Sequence, residues 1–225
     1  MTDESPVLSV AETIYRKIRT DIIFGRLAPD EKLKLELLRG RYGASVSTLR
    51  EILSRLASEG FVVAEGQRGF EVAPVSPANL REVSALRTLL ECYALELSFA
   101  AGDMEWEGQV VSAHHKLQRM EVRMMGGDRS IQEQWKRYDW EFHQALIAAC
   151  GSRVLIAAHT AVFDQYLRYQ MLSLTFRGEA AAAEHRQLLE AALNRDSATA
   201  QAVLRRHIDG GVEHSLAADA FRSPR

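Results

Sequence analysis

The segment YDWEFHQALIAACGS, residues 138–152, sets a carboxylate and an imidazole four residues apart, Asp139 and His143. Four residues is about one helical turn, so the pair lies on or beside the apolar stripe of Trp135, Phe142, Leu146 and Ile147. Burial penalises both groups unless something satisfies them. Two later histidines are placed in the same way. His185 falls with Ala181, Leu188, Leu189 and Ala192, and His207 with Val203, Leu204, Ile208 and Gly211.

NRDS, residues 194–197, breaks the helical pattern between these two, centred near Asp196, eleven residues after His185 and eleven before His207. Folded back as an antiparallel hairpin, the helices hold both rings at one level, each about 16 Å from the turn. Two matched pairs on three helices therefore face a core. A buried polar group without a partner costs about 1–3 kcal/mol, and one divalent transition ion relieves all four together. Three imidazoles and a carboxylate suit Zn2+, Ni2+, Fe2+, Mn2+ or Co2+, and can leave coordination positions open. The competing reading is four separately satisfied core polar residues. Of the other histidines, His114 and His115 are adjacent, so at most one faces inward. His214 is about 10 Å along the helix from His207, too far to share an ion with it. His159 has no matched partner and reads as surface or core polar.

The elements that must position these residues come from the rest of the chain. It has 225 residues, 47% hydrophobic and 26% charged, enough for one large domain or two small ones. A net charge of −2 excludes a polycation, so any nucleic-acid contact must come from a local patch. Cys92 and Cys150 lie in apolar helical surroundings and read as reduced, buried thiols. No apolar run approaches the ~20 residues that span a bilayer. The opening MTDESPVL carries acids where a signal peptide carries bases, which predicts a cytoplasmic protein with no membrane partner.

APVSPANL, residues 73–80, reads as a linker and helix start, dividing the chain into 1–74 and 75–225. In the first part Ala11, Ile14, Tyr15, Ile18 and Ile22 follow the helical period, and Gly25 closes the element. An extended piece at Lys32–Lys34 leads to a helix over 36–42, stopped by Gly43. Ser45 caps a third helix with Leu49, Ile52, Leu53 and Leu56 on one face, ended by Gly60. Residues 61–64 and 69–73 flank a Gly-containing turn and predict a β-hairpin. This order is a winged helix-turn-helix. Between Leu37 and Ser58 stand Arg39, Arg41, Arg50 and Arg55 against Glu51 alone, a basic patch beside a helix that fits the major groove of double-stranded DNA.

LAPDEKL, YGASVSTLREILSRLASEGFV and QRGFEVAP together resemble the DNA-binding domain of the GntR superfamily of bacterial transcription factors, over about residues 10–74. Three positions depart from it. Asp30 stands where the family usually has Gly, Val46 where it has Arg, and Glu36 where the fatty-acid-responsive branch has another Arg. The resemblance implies operator binding through Arg50, with Arg39, Arg41, Ser45, Ser47 and Thr48 as substitute contacts and Arg68 on the wing.

From Asn79 onward the periods run over about 78–101, 104–125, 130–149, 152–170, 178–194 and 197–218, a bundle of six or seven helices. This part resembles the FCD domain of the FadR-type members of that superfamily. The family's D-x-x-x-H, E-H-R and A-x-x-x-x-H-I are matched by Asp139/His143, Glu184-His185-Arg186 and Ala202…His207-Ile208. The resemblance implies that Asp139, His143, His185 and His207 bind metal. It also implies that Arg87 points toward an acidic effector, with Arg137, Tyr166 and Arg168 as further candidates. A local pair with Glu91 is the plain alternative for Arg87.

Two functions compete. One is a ligand-responsive regulator, a repressor of a catabolic operon acting as a homodimer on a palindromic operator, with its operator affinity controlled by a small carboxylate effector. The other is a metal-dependent hydrolase or lyase with an appended DNA-binding-like domain. Against the enzyme, the sequence has no H-E-x-x-H, nucleophile elbow or Gly-rich phosphate loop, and Glu141 and Glu184 are expected to point away from the ligands. A third, plainer reading makes the histidine site structural only.

Overall fold

Ser9 opens the first helix, α1 (Val10–Ile23), by accepting a hydrogen bond from the Glu12 amide at 3.1 Å. The computed structural model describes residues 9–66, 69–173 and 176–218. It divides the chain into two units, Met1–Val75 and Ser76–Arg225.

In the first unit α1 buries Ile14, Tyr15, Ile18 and Ile22 against the rest of the unit. Lys32 makes a single bridge to Glu71, and α2 (Leu35–Tyr42) follows, ending at Gly43 in the left-handed region. The αL conformation at this stop favours glycine, which has no Cβ to clash. Ser45 caps α3 (Val46–Ser58), whose Leu49, Ile52, Leu53 and Leu56 are buried. β1 (Val62–Ala64) and β2 (Phe70–Val72) pair antiparallel, with Val62 opposite Val72. The result is a helix-turn-helix with a wing. Arg68, expected on that wing, lies outside the described residues.

The second unit has helices and no strand among its described residues. It runs α4 (Pro77–Ala101), α5 (Met104–Met125), a 3-10 turn (Arg129–Ile131), α6 (Gln132–Ile147), α7 (Arg153–Ser173), α8 (Glu179–Leu193) and α9 (Ser197–Ala217). Ser76 caps α4 with Pro77 in its first turn, and Asp103 caps α5. α6 starts later than the period predicts because Asp128 accepts from the Ser130 amide and folds that entry into the tighter turn. α4 packs on α7 and α9, α5 on α6 and α8, and α8 on α9. Cys92 and Cys150 are buried, free thiols. Among the described residues no helix is long and apolar enough to cross a membrane.

Candidate metal centre and DNA-binding head

Three helices supply the centre. α6 presents Asp139 and His143 one turn apart, and α8 and α9 meet as the predicted hairpin about Asp196, which caps α9. The rings of His185 and His207 come within 4.7 Å, centroid to centroid. One ligand atom from each of Asp139, His143, His185 and His207 lies within 4.8 Å of the others, and all four residues are buried. A divalent ion fits this set. Nε2 of His143 and Nε2 of His185 are buried without a hydrogen bond, although Asp139 Oδ1 stands 3.3 Å from the latter. Such orphaned acceptors in a core are expected where an ion belongs.

Behind each imidazole lies a carboxylate. His143 Nδ1 is 2.5 Å from Glu91 Oε1, His185 Nδ1 is 2.6 Å from Glu121 Oε1, and His207 Nδ1 is 2.9 Å from Glu184 Oε2. An ionised carboxylate only accepts, so a neutral ring donates to it from Nδ1, which would leave the Nε2 lone pair for an ion. Burial opposes ionisation of Glu91, but Arg87, His143 and His159 hold its carboxyl well below the usual range. Glu184 is likewise penalised by burial, yet hydrogen bonds from His207 and Arg177 bring it down to about 2. Burial also resists a proton on His185, and Asp139 and Glu121 outweigh it, raising that ring to about 9. His143 and His207 go the other way, lowered chiefly by burial.

These carboxylates were not foreseen as a set. Glu184, expected to face away, reaches His207 from the neighbouring helix; Glu141 does lie outward, paired with Lys116 and Arg137. The burial of Glu121, though not its partner, was present in its spacing, because it shares the buried stripe of α5 with Val110, Ala113, Leu117 and Met124. His159 is a core polar residue: it donates from Nε2 to Glu91 Oε2 at 2.9 Å and meets Gln144 with Nδ1. His114 is buried edge-on to Phe142 while His115 is exposed.

The expected effector residues separate. Arg87 is buried at the centre, donating from Nε to Glu91 Oε2 at 2.9 Å, with its guanidinium carbon 4.2 Å and 4.7 Å from the Phe163 and Tyr166 ring centres. Tyr166 is buried there too. Arg137 is not part of the centre: its side chain is 75% exposed and pairs with Glu141, because α6 turns that position to the outside. Arg168 follows Tyr166 by two residues, about 200° around α7, and so leaves the helix on nearly the opposite side.

Two groups went unnoticed in the sequence. Lys136 is buried on α6 and donates to Gln170 Oε1 at 2.6 Å and to Asp139 Oδ2 at 3.3 Å. Arg177 donates to Glu184 at 2.7 Å and to the His207 carbonyl at 3.1 Å. α9 admits both Arg177 and Tyr166 through Gly210 and Gly211. A Cβ at 210 would stand 2.5 Å from Arg177 Nη1, and one at 211 would stand 2.2 Å from Tyr166 Oη.

In the first unit the α3 entry gathers Ser45, Ser47 and Thr48, with Ser45 Oγ 2.8 Å from Ser47 Oγ and 2.9 Å from Thr48 Oγ1. Arg50 is exposed and makes no ion pair among the described residues. Arg39 is exposed beside Glu36 at 3.2 Å. Two exposed arginines of the basic patch already hold acids. Arg41 pairs with the buried Asp21 at 2.9 Å, and Arg55 with Glu12 at 2.8 Å, 3.5 Å above the Tyr15 ring.

The FCD domain family matches residues 82–210, and the bacterial regulatory proteins of the gntR family match residues 10–72. The chain belongs to the GntR family. It is 37% identical to an uncharacterized HTH-type transcriptional regulator, BphR, of Paraburkholderia xenovorans strain LB400, over 93% of this chain and 89% of that one. It is 34% identical to the HTH-type transcriptional repressor GlaR of Escherichia coli strain K12, over 86% of this chain and 90% of that one. In fold it is similar to E. coli McbR/YncC, with a TM-score of 0.78 at 19% identity, covering 94% of this chain and 99% of that one. Both domains and these relatives are those of GntR transcriptional regulators, so the chain is a DNA-binding regulator and the hydrolase or lyase reading falls. Asp30, where GntR proteins usually carry Gly, has φ 63, and aspartate is among the few side chains that tolerate that region.

Proposed function

We propose that this GntR regulator is a repressor of a catabolic operon, acting in the cytoplasm as a homodimer. Its affinity for a double-stranded DNA operator is set by a small carboxylate effector bound at a divalent transition ion. The unit Met1–Val75 holds the operator, and Ser76–Arg225 carries the metal, the effector and the dimer contact. The ion, Zn, Ni, Fe or Mn, would be held by Asp139, His143, His185 and His207, and would offer an open position to a carboxylate oxygen. The observation that carries the reading is the convergence of these ligand atoms with Nδ1 of all three rings committed to carboxylates.

Arg87 and Tyr166 wall the site, and Glu91 fixes the Arg87 guanidinium. Because the four ligands are buried, an effector reaches them only as the packed helices around them part. Occupancy of the site and packing of the bundle are then one equilibrium, which is what a switch of operator affinity needs. On the DNA side, Arg50 and the Ser45–Ser47–Thr48 cluster meet the major groove at the α3 N-terminus, and Arg39 flanks them. A palindromic operator matches a two-fold protein. Leu86, Leu89 and Tyr93 form an exposed apolar stripe on α4, at 45%, 65% and 56% exposure, and offer the surface for the second copy.

The test is a metal assay combined with a thermal-shift screen of C3–C6 mono- and dicarboxylates, with and without a chelator, and operator release by whichever acid binds. Bound divalent metal, a chelator-sensitive shift with at least one acid and release from DNA by that acid are expected. Metal-free protein that neither binds added metal nor responds to any acid would sink the reading.

A further inference from the structure

The metal reading accounts for the four ligands and the carboxylates behind them but leaves Lys136 unexplained. A buried ammonium is costly without a matching negative charge, and lysine is seldom found so deep as its 5% exposure places it. Its short contact is to a neutral amide, Gln170 Oε1 at 2.6 Å; its carboxylate, Asp139 Oδ2, is farther, at 3.3 Å.

The distances also show which charges match. Glu91 is taken by Arg87 at 2.9 Å and Glu184 by Arg177 at 2.7 Å. Asp139 and Glu121 remain, the first a direct ligand and the second acting through the His185 ring. With neutral imidazoles, a divalent ion matches these two carboxylates in full. Among the described cations that contact the ligand set or the carboxylates behind it, the positive charge left over is that of Lys136.

Arg87, by contrast, is spent. Its Nε is on Glu91, its Nη2 is 3.3 Å from His143 Nδ1, and Phe163 and Tyr166 pack against its guanidinium. Lys136 adjoins the Asp139 side of the ligand set, where a ligand oxygen entering the coordination shell would lie near it.

We propose that Lys136 is the cation that anchors the effector's carboxylate, with Gln170 and Tyr166 lining its far side, while Arg87 orients Glu91 and His143. The inference rests on the metal-and-carboxylate reading above. The string Lys136–Gln170–Tyr166 is continuous, since Gln170 Nε2 donates to Tyr166 Oη at 3.0 Å. It crosses from α6 to α7, and Tyr166 touches the Ile208 carbonyl on α9 at 3.4 Å. Ligand binding at Lys136 would therefore be felt on the helix that carries His207.

The full chain is loaded with Co2+, and its visible bands are followed while acetate, then succinate, is titrated in. Lys136→Met is expected to take up Co2+ as the wild type does and to lose about tenfold or more in carboxylate affinity. Lys136→Arg, which keeps the charge, is expected to retain it within about threefold, and Lys136→Gln replaces the methionine variant if that one does not fold. Wild-type carboxylate affinity in the neutral variant overturns the inference. So does failure of that variant to bind Co2+, which would make Lys136 a positioning residue for Asp139. Failure of the wild type itself to bind Co2+ overturns the metal reading and this inference with it.

Discussion

Glu121 Oε1 lies 2.6 Å from Nδ1 of His185, across the contact between α5 and α8, with both side chains at 2% exposure or less. A buried glutamate on a bundle helix, aimed at the far nitrogen of a ring whose near nitrogen has no hydrogen bond, is an arrangement that orients a metal ligand. Glu121→Gln keeps the shape and removes the charge. It is expected to weaken metal affinity by about 10- to 100-fold while leaving the helical content unchanged, as measured by competition with a chelating dye. Wild-type affinity in this variant would make the contact a packing feature only.

The metal-free protein has its own pH dependence. His185 is raised from its ordinary 6.5 to about 9, so its stabilising contribution is complete below 6.5 and is lost as pH climbs through about 9. His143 and His207 are lowered, and being buried neutral they cost stability as pH falls below 6.5. Chelated protein should therefore melt highest near pH 6.5 and lower on either side. Metal-loaded protein should lose less between 6.5 and 9, because the ion takes the place of the proton on His185. Parallel melting curves for the two forms across that range would remove the ion from the centre.

In the DNA-binding head two arginines should behave oppositely. Arg50→Ala is expected to abolish operator binding in a band-shift assay without moving the melting temperature, since Arg50 holds no ion pair among the described residues. Arg41→Ala strips Asp21 of a partner at 2.9 Å and should destabilise the unit by about 1 kcal/mol. A reversal of these two outcomes would exchange their roles.

Sedimentation should show a dimer for the wild type and a monomer for Leu89→Glu, which plants a charge in the exposed stripe of α4. A glutamate variant that still sediments as a dimer would move the contact to another face.

What could be read beforehand follows from where the information lies. The helix ends were legible where Ser45 caps α3, Gly43 stops α2 and the break near Asp196 parts α8 from α9, all local chemistry. The meeting of Asp139, His143, His185 and His207 was legible because Asp139 and His143 share a turn, and because His185 and His207 are equidistant from Asp196. Glu91, Glu121 and Glu184 were not, because each meets its histidine across a contact between helices whose register no single helix reveals. The same blindness hid the acidic partners of two arginines in the basic patch. Arg41 and Arg55 are answered by Asp21 and Glu12, twenty and forty-three residues away. Arg137 misled for a simpler reason, being two residues from Asp139 and hence turned to the opposite side of α6.

Gly210 and Gly211 sit mid-helix in α9, where alanine would be the better helix former by about 1 kcal/mol at each position. The usual recipe for toughening such a rod, filling its glycines with methyls, is closed at 211. At 211 the added carbon would land on the Tyr166 hydroxyl, wedge α9 away from α7 and carry His207 with it. A variant improved by that recipe would gain backbone stiffness and disturb the cluster that His207 joins, so in α9 durability and the shape of that cluster pull against each other.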